Sequence, residues 1–174
     1  TRNPGLRELI RVNGLEDSKI TAYHVGFVLG PCINASGRLD TAARSLALLN
    51  AENQDEAAKL AGDLTALNQS RKSLTEEGKE AAIHQVENTD LKDDRVLVIY
   101  LPDCHESIAG IIAGRIREKY HKPTFVLTKG ENSAKGSGRS IEAYSMYEEL
   151  VRCADLLIQF GGHPMAAGLS IEEK

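Results

Sequence analysis

Four stretches of the chain carry residue types able to grip a phosphate. Gly161-Gly162-His163-Pro164-Met165-Ala166-Ala167-Gly168 sets a glycine pair before an imidazole. Glycine lets backbone approach a ligand closely and adopt positive φ. Histidine donates to a phosphate or moves a proton near neutral pH. The stretch predicts a tight turn presenting one imidazole beside bare backbone, followed by a strand at Leu169-Ser170-Ile171. In Lys135-Gly136-Ser137-Gly138-Arg139-Ser140 the small residues leave room for a ligand. Arg139 offers a planar fork of donors, and Ser137 and Ser140 offer hydroxyls. Gly30-Pro31-Cys32-Ile33-Asn34-Ala35-Ser36-Gly37-Arg38 is too small and polar for core, and Asn34 and Arg38 suit contact with phosphate or sugar. His105 opens a helical pattern just after an apolar run. Free N–H groups at a helix start, beside the end of a strand, receive anions readily.

Taken singly, each stretch has a plainer reading as a turn, a hairpin, a connector or a helix cap. Together they point to anion binding. None of them pairs a nucleophile with a base, and no aspartate and histidine cluster suits two metals. Asp103, Cys104, His105 and Glu106 are adjacent at a helix start, so they cannot all face one ion.

The elements that must position these residues change character near residue 90. Residues 1–88 contain no strand pattern. Pro4 suits the first turn of a helix reaching Ile10. A second helix is predicted over Lys19–Leu29, broken by Gly30-Pro31, with a loop to Leu39 and a further helix over Thr41–Leu49. A long helix is predicted over Gln54–Val86, with Leu60, Leu64, Leu67, Leu74 and Ala81 as its apolar stripe. Arg71 and Gly78 interrupt that stripe, which argues against a coiled coil and for a helix bridging two lobes. From Arg95 onward strands alternate with helices. Val96–Tyr100 reads as a buried strand. Asp103 and Glu106 have capping-box spacing, and a helix follows to Tyr120 with Ile108, Ile111, Ile112 and Ile116 inward. Gly110 and Gly114 would let that helix pack closely on a sheet. A strand over Thr124–Thr128 and a helix over Tyr144–Leu157 complete the pattern, which defines an α/β or α+β fold.

Composition sets outer bounds. The 174 residues are 41% hydrophobic, enough for a core, and the net charge of -4 gives no global basic signature for nucleic acid. A polyanion would have to be met by a local patch. No apolar run approaches the roughly 18 residues of a membrane span, and no signal peptide is visible. Cys32, Cys104 and Cys153 are odd in number and far apart, which favours a reducing cytoplasm. The chain begins at Thr1 in mid-pattern and ends on a strand-like run, as expected of a segment of a longer protein.

Five motifs occur in one order: Gly30 to Arg38; Leu67-Asn68 with Arg71; His105-Glu106-Ser107-Ile108-Ala109-Gly110-Ile111-Ile112-Ala113; Gly136-Ser137-Gly138-Arg139-Ser140; and Phe160-Gly161-Gly162-His163. In that order they resemble the RecJ family of single-strand-specific exonucleases, within the DHH–DHHA1 phosphoesterases, over essentially the whole chain. The resemblance implies that residues 1–52 end a helical DHH domain. Residues 53–90 would form a connector helix, and residues 91–174 a DHHA1 domain with a central mixed sheet flanked by helices. It implies hydrolysis of phosphodiesters from the 5′ end of single-stranded DNA in recombination and repair. The Mn²⁺ or Mg²⁺ would be bound by residues preceding this chain, so the chain alone would be inactive and metal-free. By matching position, Ser137, Arg139 and Ser140 should hold phosphate, that of the 5′ end of single-stranded DNA. His163, with Gly161 and Gly162, should approach the scissile phosphate. His105, Asn34 and Arg38 should line the same cleft. Cys32 stands where the family often has arginine, and Cys104 where it commonly has an aromatic residue. The alternatives are a relative acting on oligonucleotides or cyclic dinucleotides, and a non-catalytic nucleic-acid-binding DHHA1 module.

Overall fold

A computed structural model describes residues 1–173. The chain forms two compact units, Thr1–Ser73 and the residues from Leu74 on.

The first unit is helical. Helix α1 (Pro4–Val12) has proline in its first turn, and the Asn3 side chain caps it by accepting from the Leu6 N–H at 2.9 Å. The Asn3 amide also donates to the Leu49 carbonyl at 2.7 Å, tying α1 to helix α4 (Ala43–Asn50). A single turn, α2 (Ala22–His24), continues through a π-turn at Val25–Leu29 directly into α3 (Gly30–Leu39). The loop expected from Gly30 to Leu39 is therefore helix. Proline lacks an N–H and its ring collides with a carbonyl one α-turn back. The wider π-turn accommodates both effects, with the Gly30 N–H bonded to the Val25 carbonyl and Pro31 in the first turn of α3. Leu9, Leu29, Cys32, Leu48, Ala61 and Leu64 form the core. Beside it the Ser36 and Ser45 hydroxyls lie 2.6 Å apart, and Ser45 donates to the Ile33 carbonyl at 2.6 Å.

Helix α5 (Gln54–Glu87) closely matches the long helix expected. Its buried stripe differs, running through Ala57, Ala61, Leu64 and Asn68, with Leu60 and Leu67 at its flanks. Leu74 and Ala81 are exposed. Further along, Ala82 and Val86 enter the core of the second unit.

That second unit is a five-stranded mixed sheet covered on both faces, so the expected α/β architecture holds. The strands are β1 (Leu97–Tyr100), β2 (Thr124–Lys129), β3 (Ala134–Arg139), β4 (Gln159–His163) and β5 (Ala166–Ile171), in the order β1-β2-β3-β5-β4. β1 and β2 are parallel and the other pairs antiparallel. Helix α6 (Glu106–Tyr120) and the end of α5 cover one face, burying Ile108, Ile112 and Ile116 against Leu97, Ile99 and Val126. Gly78, read as a gap in a stripe, is where α6 comes closest, because a Cβ there would sit 2.5 Å from Ile112 Cδ1. Helix α7 (Met146–Arg152) covers part of the other face through Met146 and Leu150 against Phe125 and Ala167. The expected helix over Tyr144–Leu157 is thus shorter, followed by a 3₁₀ turn at Ala154–Leu156.

Two segments read as turns are strands. Ala134–Arg139 lies inside the sheet, paired with β2 on one side and β5 on the other. Gly161–His163 forms part of edge strand β4, and the turn itself falls on Pro164-Met165.

Candidate nucleic-acid interface

Strand alternation sorts the site residues by face. Gly136 and Gly138 face the α7 side, where a Cβ at 138 would come 2.6 Å from Phe125 and 2.7 Å from Met146. Lys135, Ser137 and Arg139 therefore face the α6 side. The register extends this into three rows across β3, β5 and β4: Lys135–Ser170–Gln159, Ser137–Gly168–Gly161 and Arg139–Ala166–His163. Two strand spacings, roughly 9.5 Å, separate the ends of each row. α6 packs over β2 and β3, and beside it Glu106, Ser107 and Ala109 join Lys135, Ser137, Gly161 and Gly168 around an open depression of about 490 Å³.

The floor of this shelf is bare. A Cβ at Gly161 would meet nothing within 4 Å, and one at Gly168 would make only an ordinary contact at 3.7 Å. The protein's own packing does not require glycine at either position, so their absent side chains leave room above the sheet. Gly162 differs, with φ at 153° and space for a Cβ closed by Ala167 Cα at 2.6 Å.

Arg139 is half-buried and fixed. Its Nη1 donates to the Gly138 carbonyl at 2.7 Å and to Ser137 Oγ at 3.3 Å. Exposed His163, two strands away in the same row, accepts at Nδ1 from the Met165 N–H at 3.3 Å. An imidazole accepting at Nδ1 carries its proton on Nε2, so it offers a donor to solvent. At the other end of the shelf Lys135 pairs with Glu106 at 2.6 Å, which holds the Lys135 ammonium pKa above its usual value.

His105 is the N-cap of α6, not a residue of its first turn, and Asp103 takes no part in the cap. The His105 Nδ1 accepts from the Ser107 N–H at 3.2 Å and lies 2.7 Å from Ser107 Oγ. An imidazole acceptor there serves as aspartate would elsewhere. The exposed ring is not in the lining of the shelf but borders two further recesses, one of about 230 Å³ with Cys104, Leu74 and Gly78 and one of about 750 Å³ with Glu106 and Lys135, which also line the shelf. Burial raises the Cys104 thiol pKa. Ser140 also stands apart. It is fully buried, its hydroxyl donates to the Tyr144 carbonyl at 2.6 Å, and it holds the chain leaving β3 rather than facing the shelf.

Asn34 and Arg38 belong to the first unit, one helical turn apart on α3, Asn34 exposed and Arg38 half-buried. Sequence reasoning read Arg71 as an interruption of the stripe and as part of one motif of the resemblance, but gave it no place among the site residues. Its Nε and Nη2 donate to Oδ1 of buried Asn68 at 3.2 and 3.1 Å, while Asn68 Nδ2 donates to Cys32 Sγ at 3.4 Å. Burial, and then the charge of Arg38, lower the Arg71 pKa. A second guanidinium beside Arg38 makes a cationic patch that favours an anion. The signal was present in the sequence as a charged residue seven positions after Leu64 on an apolar stripe.

Among the described residues, no three His, Cys, Asp or Glu side chains converge as a metal would need. Among the same residues, no helix is long and apolar enough to cross a membrane.

Residues 93–174, which hold the mixed sheet, the helix-start histidine and the row of Arg139 and His163 next to the glycine-lined shelf, match the family model of the DHHA1 domain. Over 98% of its length the chain is similar to RecJ proteins, of which it spans one segment. It is 40% identical over 178 residues to the single-stranded-DNA-specific exonuclease RecJ of Escherichia coli and 39% identical to that of Salmonella typhimurium, covering 98% of this chain. The chain spans 31% of the length of either relative. The crystal structure of Thermus thermophilus RecJ in complex with Mg²⁺ superposes with a TM-score of 0.87 at 34% identity, covering 99% of this chain and 26% of that one.

Proposed function

We propose that this chain is the substrate-binding portion of an exonuclease that degrades single-stranded DNA from its 5′ end in recombination and repair. In this reading Mn²⁺ or Mg²⁺, with the groups that hold it, is supplied by the part of the protein outside this chain. RecJ structures have been solved with each metal. Arg139 and Ser137 hold a strand phosphate, with the 5′-terminal phosphate as the preferred one. His163 donates through Nε2 to the phosphate under attack and assists chemistry performed elsewhere. Gly161, Gly162 and Gly168 let the strand lie against backbone. His105, Asn34 and Arg38 contact the same strand, and the protein acts in the reducing cytoplasm, where Cys32, Cys104 and Cys153 stay as free thiols.

The observation that carries this reading is the row Arg139–Ala166–His163 beside bare Gly161 and Gly168. Cation and imidazole stand at the two ends of one row, two strand spacings apart, beside a floor that Gly161 and Gly168 leave without side chains. The test is nuclease assay and binding together. The chain alone should bind single-stranded DNA in preference to duplex yet release no nucleotides with Mn²⁺. The complete protein should digest long single strands far faster than dinucleotides. Turnover by the chain alone, or a preference for dinucleotides, would overturn the proposal.

A further inference from the structure

A second recess, of about 550 Å³, opens beside the shelf and is lined by Gly110, Gly114, Arg115, Arg117, Arg139 and Ala166. It shares Arg139 and Ala166 with the row that ends at His163. Three arginines line it against one carboxylate, Glu118. Glu118 Oε2 accepts from Arg115 Nη1 at 3.3 Å and Oε1 from Arg117 Nη2 at 3.2 Å. One acid thus orients two arginines and leaves the recess cationic. Arg117 Nη1 donates to the Ser140 carbonyl at 3.4 Å, while its buried Nε has no hydrogen-bond partner.

The floor is again open. Gly110, Gly114 and Arg117 lie along one stripe of α6. A Cβ at Gly114 would come no nearer than 3.9 Å to Arg139 Cγ, an ordinary contact. Glycine there relieves no clash, so its effect is to keep the space between the arginines clear. Its clear floor, arginine rim and continuity with Arg139 match a phosphate ester better than an apolar group. Planar guanidinium forks bind phosphate oxygens in pairs.

We infer that this recess is a second phosphate subsite, in which Arg115 and Arg117 take the phosphodiester next along the strand from the one at Arg139. The inference rests on the reading that Arg139 holds a strand phosphate.

The experiment is fluorescence anisotropy of this chain with a labelled, 5′-phosphorylated single-stranded octamer. A matching series replaces one phosphodiester at a time by an uncharged methylphosphonate. Arg115→Gln/Arg117→Gln should weaken binding to the unmodified octamer by about tenfold or more, since each lost bond is to a charged group. The salt dependence should fall in proportion to the contacts removed, by about 0.7 of log-slope for each phosphate released. The loss should nearly vanish on one modified octamer, whose neutral linkage adjoins the linkage at which Arg139→Gln becomes silent.

If Arg139→Gln weakens binding and the double variant does not, the subsite is overturned and the exonuclease reading stands. If neither variant changes binding, that reading falls as well. An equal loss on every octamer means a diffuse field, not a subsite, and overturns the inference. So does a double variant that loses only competition by thymidine 5′-monophosphate, which would make this a site for free nucleotide. Arg115→Gln alone, at a largely exposed side chain, carries the same test if the double variant does not fold.

Discussion

Gly110 of α6 stands directly against Arg139 of β3, where an added Cβ would come 2.7 Å from Arg139 Nη2 and 2.7 Å from Ser137 Oγ. The missing side chain sets where the guanidinium points. Alanine is the better helix former by about 1 kcal/mol, so stability and binding should separate at this position. Gly110→Ala is expected to keep or raise the melting temperature while lowering affinity for single-stranded DNA, read by calorimetry and anisotropy on one preparation. Equal affinity would mean that Arg139 does not grip the strand in this position.

Removal of the Arg139 guanidinium is expected to cost a charge-assisted bond worth about 1.5–3 kcal/mol, or roughly tenfold to a hundredfold in affinity. In the complete enzyme kcat/KM should fall by a similar factor. Arg139→Lys should recover only part of it, because a point charge replaces a fork.

The two adjacent glycines of β4 make opposite demands. Gly161→Ala meets no neighbour and should leave folding stability within about 0.5 kcal/mol of the starting protein, as other unobstructed surface changes do, while weakening DNA binding. Gly162→Ala enters a backbone conformation with φ at 153° and a closed space, so it should destabilise by about 1–3 kcal/mol. Denaturant titration of both variants separates a residue needed by the fold from one needed by the ligand.

His105 combines a cap with an exposed ring. His105→Ala should lose about 0.5–2 kcal/mol of stability, the usual value of a helix cap. His105→Asp keeps an acceptor for the Ser107 N–H and should restore stability without restoring any contact the ring makes to DNA. Restored binding in the aspartate variant would reduce His105 to its capping role.

Tyr120 at the end of α6 donates to Glu87 at the end of α5 at 2.9 Å. Burial, and then this bond, push the Tyr120 phenol up to about 12, while the same bond, with help from Lys119, lowers the Glu87 carboxyl pKa. A tyrosine raised in the folded state contributes stability that is full below pH 10 and lost as pH climbs to about 12. Absorbance at 295 nm should show a late-ionising tyrosine that disappears in Tyr120→Phe and shifts earlier in Glu87→Gln.

Long, strongly periodic elements were legible from sequence. α5 and α6 lie within a residue or two of where their spacing put them; in α6 the apolar periodicity is the signal that burial imposes, whereas in α5 only Leu64 of the expected stripe is buried. β3 carried no such signal, with two glycines and two cations in six residues. Tertiary pairing makes it a strand, since neighbours on both sides satisfy its backbone and Phe125, Leu127 and Leu169 occupy the space its glycines leave. The grouping of Arg139 with His163 was likewise invisible until the register set them in one row. Ser140 shows the converse, a hydroxyl in the right motif that backbone geometry turns inward. Arg71, though part of a motif, was left out of the site because a cation on an apolar stripe reads as a defect until buried Asn68 is found holding it.

The π-turn at Val25–Leu29 also decides where this chain can tolerate a change of length. A π-turn holds one residue more than an α-turn, while the helix on either side keeps its facing. One residue lost within Val25–Leu29 leaves Asn34 and Arg38 on the same side of α3, although the tighter α-turn then closes on the ring of Pro31. One residue lost between Gly30 and Asn34 swings them by about 100° around the helix axis. Spare length is stored on one side of Gly30-Pro31 and none on the other.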